Sequence, residues 1–184
     1  QKEKKTEKFL RNPLTFKRDV EDGLIKSLYE IKALDLNKEK EPTYGACRGS
    51  NYQLFDNEKL LVLDKLKKDL IKITSEAINA NVFFTDSFFT ILGTGGVVKH
   101  NHINAIDRIK KLELGRQKFS LVYYISIGNQ NCDKPGKLKF YNPEEEILPQ
   151  KGMIIIFPAN RYHSVMYNGK EDRIILGVNF YAIY

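Results

Sequence analysis

Short runs of β-branched and aromatic residues dominate the sequence from residue 82 onward. The runs are VFFTDSFFTIL (82–92), KFSLVYYISI (118–127), GKLKFY (136–141), GMIIIFP (152–158), RYHSVMY (161–167) and RIILGVNFYAIY (173–184). Turn-forming stretches such as NQNCDKPG, NPEEEILPQKG and NGKED separate several of them. Many short strands at this regular spacing predict an antiparallel sandwich or barrel.

The sequence before residue 82 has a helical pattern instead. DVEDGLIKSLYEIKAL (19–34) and NEKLLVLDKLKKDLIKITSEAINAN (57–81) place leucine and isoleucine at three- and four-residue steps, which puts them on one helix face. Asp56 or Asn57 is the predicted N-cap of the second helix. We therefore predict an α+β fold in a single domain spanning 1–184. Its mainly helical part, 1–81, packs on one face of a β core formed by 82–184.

Composition and charge limit the function classes. The net charge of +7 suggests a nucleic-acid partner, but lysines alternate with acids in NKEKEP, DKLKKDL and GKEDR, as on a solvated surface. No window approaches the roughly 18–20 apolar residues of a membrane helix, and the charged start lacks the apolar core of a secretory signal. Cys47 and Cys132, without a CxxC, indicate reduced thiols in a cytoplasmic protein. Because the first residue is Gln1, we also expect that an upstream partner domain could precede this chain.

Two of the three histidines, His100 and His102, stand one residue apart in GVVKHNHINAIDR. Residues i and i+2 of a strand project from the same face, so an extended chain would let both imidazoles bind one metal ion. The third, His163, lies in another predicted strand that antiparallel pairing can bring opposite them. A lone histidine is more often a surface or hydrogen-bonded core residue, so this pattern alone leaves metal binding open.

The sequence around these histidines adds a wider motif. P-x-x-G-x-x-I-x-F-P, in PQKGMIIIFP, runs into His163, and Arg173 follows ten residues later. With the HxH pair, the Tyr-rich strand and the G-x-L-x-F of GKLKF, this resembles the iron(II)- and 2-oxoglutarate-dependent oxygenases. The likeness is to a bacterial and phage branch with H-x-H in place of the commoner H-x-D, and it covers residues 88–181.

The resemblance implies a fold and an activity. The fold is a double-stranded β-helix, a jelly-roll or cupin-like barrel with iron in its mouth. The activity is that of a dioxygenase that uses Fe(II) and 2-oxoglutarate to hydroxylate, or demethylate, an unidentified substrate. We expect a small molecule or a protein side chain as substrate, rather than nucleic acid.

The resemblance also assigns residues. His100, His102 and His163 would bind iron, and Arg173 would bind the far carboxylate of 2-oxoglutarate. Tyr124 would hydrogen-bond the cosubstrate if strand alternation turns it, and not Tyr123, inward. Asn179 would share the inward face of the last strand with Arg173.

Several alternatives stay open at this point. Arg173 could form a surface salt bridge with the adjacent Glu171 or Asp172, and Tyr124 could be a core aromatic. One histidine of the HxH pair could be free with Asn104 nearby, or Asp107 could be a ligand. The chain could be a three-histidine cupin-like enzyme that does not use 2-oxoglutarate, or a non-catalytic β-barrel binding module. We interpret GTGG (93–96) as a bend near the metal, and 103–117 as a lid or substrate-binding segment.

Overall fold

The computed structural model describes residues 12–39 and 42–184. Its helices are α1 (Asp22–Glu30), α2 (Leu54–Asn57) and α3 (Leu61–Ile78). Its strands are β1 (Leu14–Lys17), β2 (Leu34–Asp35), β3 (Thr43–Gly49), β4 (Asn81–His100), β5 (Lys118–Ile127), β6 (Pro135–Phe140), β7 (Glu145–Ile147), β8 (Met153–Pro158), β9 (His163–Tyr167) and β10 (Arg173–Ile183). Two short 3₁₀ turns, Ile106–Arg108 and Leu114–Arg116, lie between β4 and β5.

The strands form one antiparallel sheet that curls into a barrel. Its order is β1-β8-β5-β10-β4-β9-β6-β7, with β3 paired to β4 and β2 paired to β3. The curl arises because β4 changes partners along its length: residues 81–92 pair with β10, whereas 95–100 pair with β9. This jelly-roll arrangement confirms the predicted double-stranded β-helix fold.

Gly95 allows the change of partner in β4. Its φ of +146° is rarely adopted by residues with a side chain, and a Cβ there would lie 2.1 Å from the carbonyl oxygen of Tyr44 on β3. Gly95 also pairs with Tyr167 of β9. The GTGG segment is therefore part of one long strand, at the point where that strand passes between three neighbours.

Strand alternation gives the barrel two different faces. The outer face of β4, β5, β8 and β10 packs against α1 and α3, whose Leu28, Leu66 and Leu70 are fully buried. Each such leucine stabilises the fold by roughly 1.5–3 kcal/mol. The helices thus pack on one face, as predicted. The inner face carries a second apolar cluster: Tyr124, Leu138, Phe140, Ile155, Phe157 and Val165.

The helices and early strands differ in detail from the sequence-based expectation. The second predicted helix is interrupted because Glu58 and Leu60 have extended backbone, so α3 begins at Leu61. The N-cap is Leu60, without a side-chain hydrogen bond, and the predicted cap at Asp56 or Asn57 is wrong. β1, β2 and β3 lie in the part predicted to be mainly helical. β1 has only four residues and owes its conformation to pairing with β8.

None of the helices in the described ranges combines the length and the apolar character needed to cross a membrane.

Candidate active site

Three histidines meet at one end of the barrel. His100 is the last residue of β4 and pairs with His163, the first residue of β9. His102 lies in the following loop, where its backbone N–H donates to the carbonyl of Ala159 at 2.8 Å. The ring centroids are 4.2 Å apart for His100 and His163, and 5.0 Å apart for the other two pairs. The ligating nitrogens all lie within 4.8 Å of one another, a spacing that suits a shared metal ion.

His102 lies beyond the end of β4, which is at His100. Its backbone N–H is bonded to the β8–β9 loop, at Ala159, instead of to β9. The rings of His100 and His102 are nearly perpendicular, at 83°, and their centroids are 5.0 Å apart. The two residues of the HxH pair therefore converge, as the sequence predicts.

Backbone carbonyls fix the tautomers of two of the rings. Nδ1 of His100 lies 2.7 Å from the carbonyl oxygen of Val98, and Nδ1 of His163 lies 3.1 Å from that of Arg161. A carbonyl can only accept, so each Nδ1 carries the proton and each Nε2 offers a lone pair. Metal-bound histidines are usually held by this kind of second hydrogen bond. Nε2 of His102 faces Nε2 of His163 at 3.2 Å.

Two of the three rings, His102 and His163, are neutral at physiological pH. Burial, reinforced by the neighbouring His100, lowers the pKa of His163 to about 3. Burial, with repulsion from His163 and His100, lowers the pKa of His102 well below its usual range. Since only the unprotonated imidazole binds a metal, these rings need not release protons before binding one.

Asp107 and Asn104 do not join the cluster. The Asp107 carboxylate accepts from Lys118 Nζ at 2.8 Å, from the backbone N–H of Asn104 at 2.7 Å and from the Tyr181 hydroxyl. The side chain of Asn104 accepts in turn from the backbone N–H of Asp107. Within 12–39 and 42–184, the three histidines form the one group of this kind that could hold a metal. The arrangement favours the three-histidine set over one that includes Asp107.

The Asp107–Lys118 pair attaches the loop after His102 to the barrel, and both side chains are almost fully buried, at 0% and 2% exposed. We expect Asp107→Asn to lower the free energy of unfolding by about 3–5 kcal/mol, because Lys118 is left charged and unpaired. The double variant Asp107→Asn/Lys118→Met should lose less. Urea denaturation measures both, and equal losses would contradict this role.

The same pair should give an acid-dependent part of the stability. Burial alone would raise the pKa of Asp107, but hydrogen bonds from Asn104 and Lys118 lower it below its ordinary value. A carboxyl whose pKa is lowered on folding stabilises the protein at neutral pH, and this contribution is lost as pH falls through the lowered pKa. Unfolding curves of Asp107→Asn should therefore depend less on pH in the acid range than those of the wild type.

Arg173 lies in the same cavity as the histidines. The cavity, about 260 Å³, is lined by all three histidines and by Arg173, which is 3% exposed. Nη2 of Arg173 donates to the carbonyl of Gly136 at 3.4 Å, but Nε has no hydrogen-bond partner within the described residues. No carboxylate of that part of the chain pairs with it, since Asp172 binds Arg48 at 3.0 Å instead. A buried charge without an opposite charge nearby is costly, so an anion bound in this cavity would stabilise Arg173.

Tyr124 is the inward-facing tyrosine of its strand. It is 1% exposed, lines the cavity, and its ring centroid lies 5.7 Å from the guanidinium carbon of Arg173. Burial raises the pKa of Tyr124 to about 12, so its hydroxyl keeps its proton. Tyr123 points to the outer face, where its hydroxyl bonds Arg18 at 3.1 Å.

Asn179 faces inward by alternation but does not line the cavity. Its amide oxygen accepts from the Ser120 hydroxyl at 2.8 Å, and its amide nitrogen donates to Asp86 at 3.0 Å. Both ends of its side chain are thus engaged in a polar chain across β5, β10 and β4. Of the three residues expected to bind the cosubstrate, the structure brings Arg173 and Tyr124 together and leaves Asn179 apart.

An aromatic pair in the cavity wall was not predicted. Tyr52 and Phe88 both line the cavity and meet edge to face, with ring centroids 5.2 Å apart. Gly177 makes room for Phe88, since a Cβ there would lie 2.3 Å from its ring. Alternation with Thr90 and Leu92 could have identified Phe88. The position of Tyr52 depends on the loop after β3, for which the sequence offers no signal.

Three solved structures that share this architecture are prolyl hydroxylases. The model superposes on a prolyl hydroxylase from Trichoplax adhaerens, solved with a peptide of hypoxia inducible factor, with a TM-score of 0.65 and 12% identity over 98% of this chain and 89% of that one. A viral collagen prolyl hydroxylase from Paramecium Bursaria Chlorella virus-1, solved with 2OG (2-oxoglutarate), gives 0.66 and 14% identity over 94% and 96%. A prolyl-4-hydroxylase from Pseudomonas putida gives 0.62 and 14% over the whole of both chains.

The sequence itself matches no family model and no curated protein. At 10–16% identity, the likeness to solved structures concerns the fold. The chain therefore has the double-stranded β-helix fold of the 2-oxoglutarate- and iron(II)-dependent oxygenases, with three imidazoles and a buried arginine in one cavity.

Proposed function

We propose that this protein is an iron(II)- and 2-oxoglutarate-dependent dioxygenase that hydroxylates, or demethylates, its substrate. The observation that carries the proposal is the buried guanidinium of Arg173, which has no carboxylate partner among the described residues and shares one cavity with the three histidines. A metal site alone would not need that arginine. A diacid that binds a metal at one end and a cation at the other accounts for both.

The residues present fit both groups. His100 and His163 each offer an Nε2 lone pair with the opposite nitrogen held by a carbonyl, and imidazole is a good ligand for iron. Arg173 offers a planar pair of donors for the far carboxylate, which a lysine could not match. The protonated Tyr124 hydroxyl is a further donor at that end of the cavity. When bound, iron and 2-oxoglutarate supply the oxidation of a C–H bond by O₂, with succinate and CO₂ as co-products.

The protein contributes orientation and a dry environment. Apolar side chains surround the space between the histidines and the arginine: Val97, Val122, Leu138, Val165 and Ile175. These walls exclude water, which strengthens the electrostatic attraction between Arg173 and an anion. The cosubstrate is thereby held in one orientation, with its keto-acid end toward the histidines.

The substrate we propose is a small molecule or a protein side chain. The cavity lining includes the uncharged side chains of Tyr52, Phe88, Thr43 and Ser50, and its described residues offer no cluster of cations for phosphates. This aromatic and hydroxyl-bearing part of the lining suits an uncharged group. We also place the protein in the cytoplasm, which its two free cysteines, Cys47 and Cys132, support.

Formation of succinate from 2-oxoglutarate tests this function. The wild-type protein should form succinate only with both Fe(II) and O₂, and should bind 2-oxoglutarate when loaded with Ni²⁺. Tyr124→Phe should weaken that binding severalfold, because one buried donor to a charged carboxylate is lost. Tyr123→Phe, changed on the opposite face of the same strand, should bind as the wild type does. A metal-loaded protein that does not bind 2-oxoglutarate would instead indicate a cupin-like three-histidine enzyme.

A further inference from the structure

The described part of the cavity lining carries no negative charge, since none of the described residues that line it is aspartate or glutamate. The acids nearest in sequence to the site residues are engaged elsewhere. Asp107 is buried against Lys118, and Asp172 binds Arg48 and the Tyr29 hydroxyl. The metal ligands that the cavity offers are thus three neutral imidazoles.

This composition leaves two positive charges uncompensated when a divalent metal binds. A carboxylate ligand would cancel one unit of the metal's charge, but His102 cancels none. Arg173 adds a further positive charge in the same buried space, without a carboxylate of the described chain to balance it. Charges attract or repel far more strongly in such a cavity than in water, so the metal alone is bound against repulsion, and a dianion relieves it.

We propose that His102 makes metal binding and diacid binding strongly cooperative in this protein. The metal should bind weakly alone and much more tightly when 2-oxoglutarate is present. The metal should in turn raise the affinity for 2-oxoglutarate by the same factor, because such coupling is reciprocal. A carboxylate at position 102 would raise the affinity for the metal alone and reduce this factor. The inference rests on the proposed function.

Calorimetry with Ni²⁺, which does not turn over, measures the factor. The dissociation constant of Ni²⁺ is determined with and without saturating 2-oxoglutarate for the wild type, His102→Asp and His102→Asn. Aspartate and asparagine have the same shape and differ in charge, so the asparagine variant is the matched control. We expect the presence of 2-oxoglutarate to tighten Ni²⁺ binding at least about 100-fold in the wild type, the upper part of the usual range for coupled sites.

The two variants should differ in the factor by which 2-oxoglutarate tightens Ni²⁺ binding, here called the coupling factor. We expect His102→Asn to stay within about threefold of the wild-type coupling factor, and His102→Asp to fall at least tenfold below it. Equal factors in the two variants would overturn the inference while leaving the proposed function in place. If neither variant binds Ni²⁺, the wild type decides: a factor below about 100-fold contradicts the inference, and a larger one supports it. Wild-type protein that binds neither Ni²⁺ nor 2-oxoglutarate would contradict the proposed function itself.

Discussion

His163→Ala is expected to abolish tight binding of Fe(II) or Ni²⁺ and, with it, succinate formation. His163 is 5% exposed, and its ring lies within 5.0 Å of both other imidazoles, so it is the ligand most enclosed by protein. Mutation of a residue that only hydrogen-bonds a metal ligand lowers metal affinity roughly 10–100-fold, and loss of the ligand itself should lower it more. Calorimetric titration with Ni²⁺ measures the change.

Met166→Ala is the matched control for this variant. Met166 lies on the same strand, β9, but is 48% exposed and does not line the cavity. It should bind Ni²⁺ as the wild type does. If His163→Ala bound Ni²⁺ with unchanged affinity and stayed folded by circular dichroism, the histidine cluster would not be the metal site.

Arg173→Met is expected to stabilise the ligand-free protein and to remove its affinity for 2-oxoglutarate. The guanidinium is buried, and its Nε has no partner among the described residues, so without a bound anion it costs free energy. Replacing buried charges with apolar side chains of similar volume often stabilises a protein, by about 1–4 kcal/mol. Loss of a buried, hydrogen-bonded charge pair costs about 2–5 kcal/mol of binding, which is a factor of about 30 or more.

Urea denaturation and calorimetry of the metal-loaded protein measure these two effects. Arg48→Met is the control, since Arg48 is 43% exposed and pairs with Asp172 at the surface. It should change stability by less than about 1 kcal/mol and leave 2-oxoglutarate binding intact. A clear loss of stability in Arg173→Met would mean that Arg173 is a structural residue rather than one held ready for an anion.

The sequence predicts the barrel well because its strands are short, β-rich and separated by turn residues. The sequence is a poorer guide to the placement of a residue when that placement depends on contacts with distant parts of the chain. His102 joins the cluster through a bond to Ala159, more than fifty residues along the chain. The unbroken course of β4 through GTGG requires β3 and β9 on either side of Gly95. Neither contact has a local signature.

The two cosubstrate residues on β10 show the same limit. Arg173 and Asn179 share the inward face, as alternation requires, yet only Arg173 lines the cavity. Asn179 is engaged by Ser120 and Asp86, which lie beside it in the sheet register. Alternation identifies the face, but the neighbouring strands decide which polar side chain is held by other side chains and which one faces the cavity.

The most direct measurement is a crystal structure of the protein grown without oxygen with Fe(II) and 2-oxoglutarate, using anomalous scattering at the iron edge. We predict a single iron peak among His100, His102 and His163, and density for the diacid that ends at the Arg173 guanidinium. An iron peak elsewhere, or a diacid that leaves Arg173 without a carboxylate, would contradict this account.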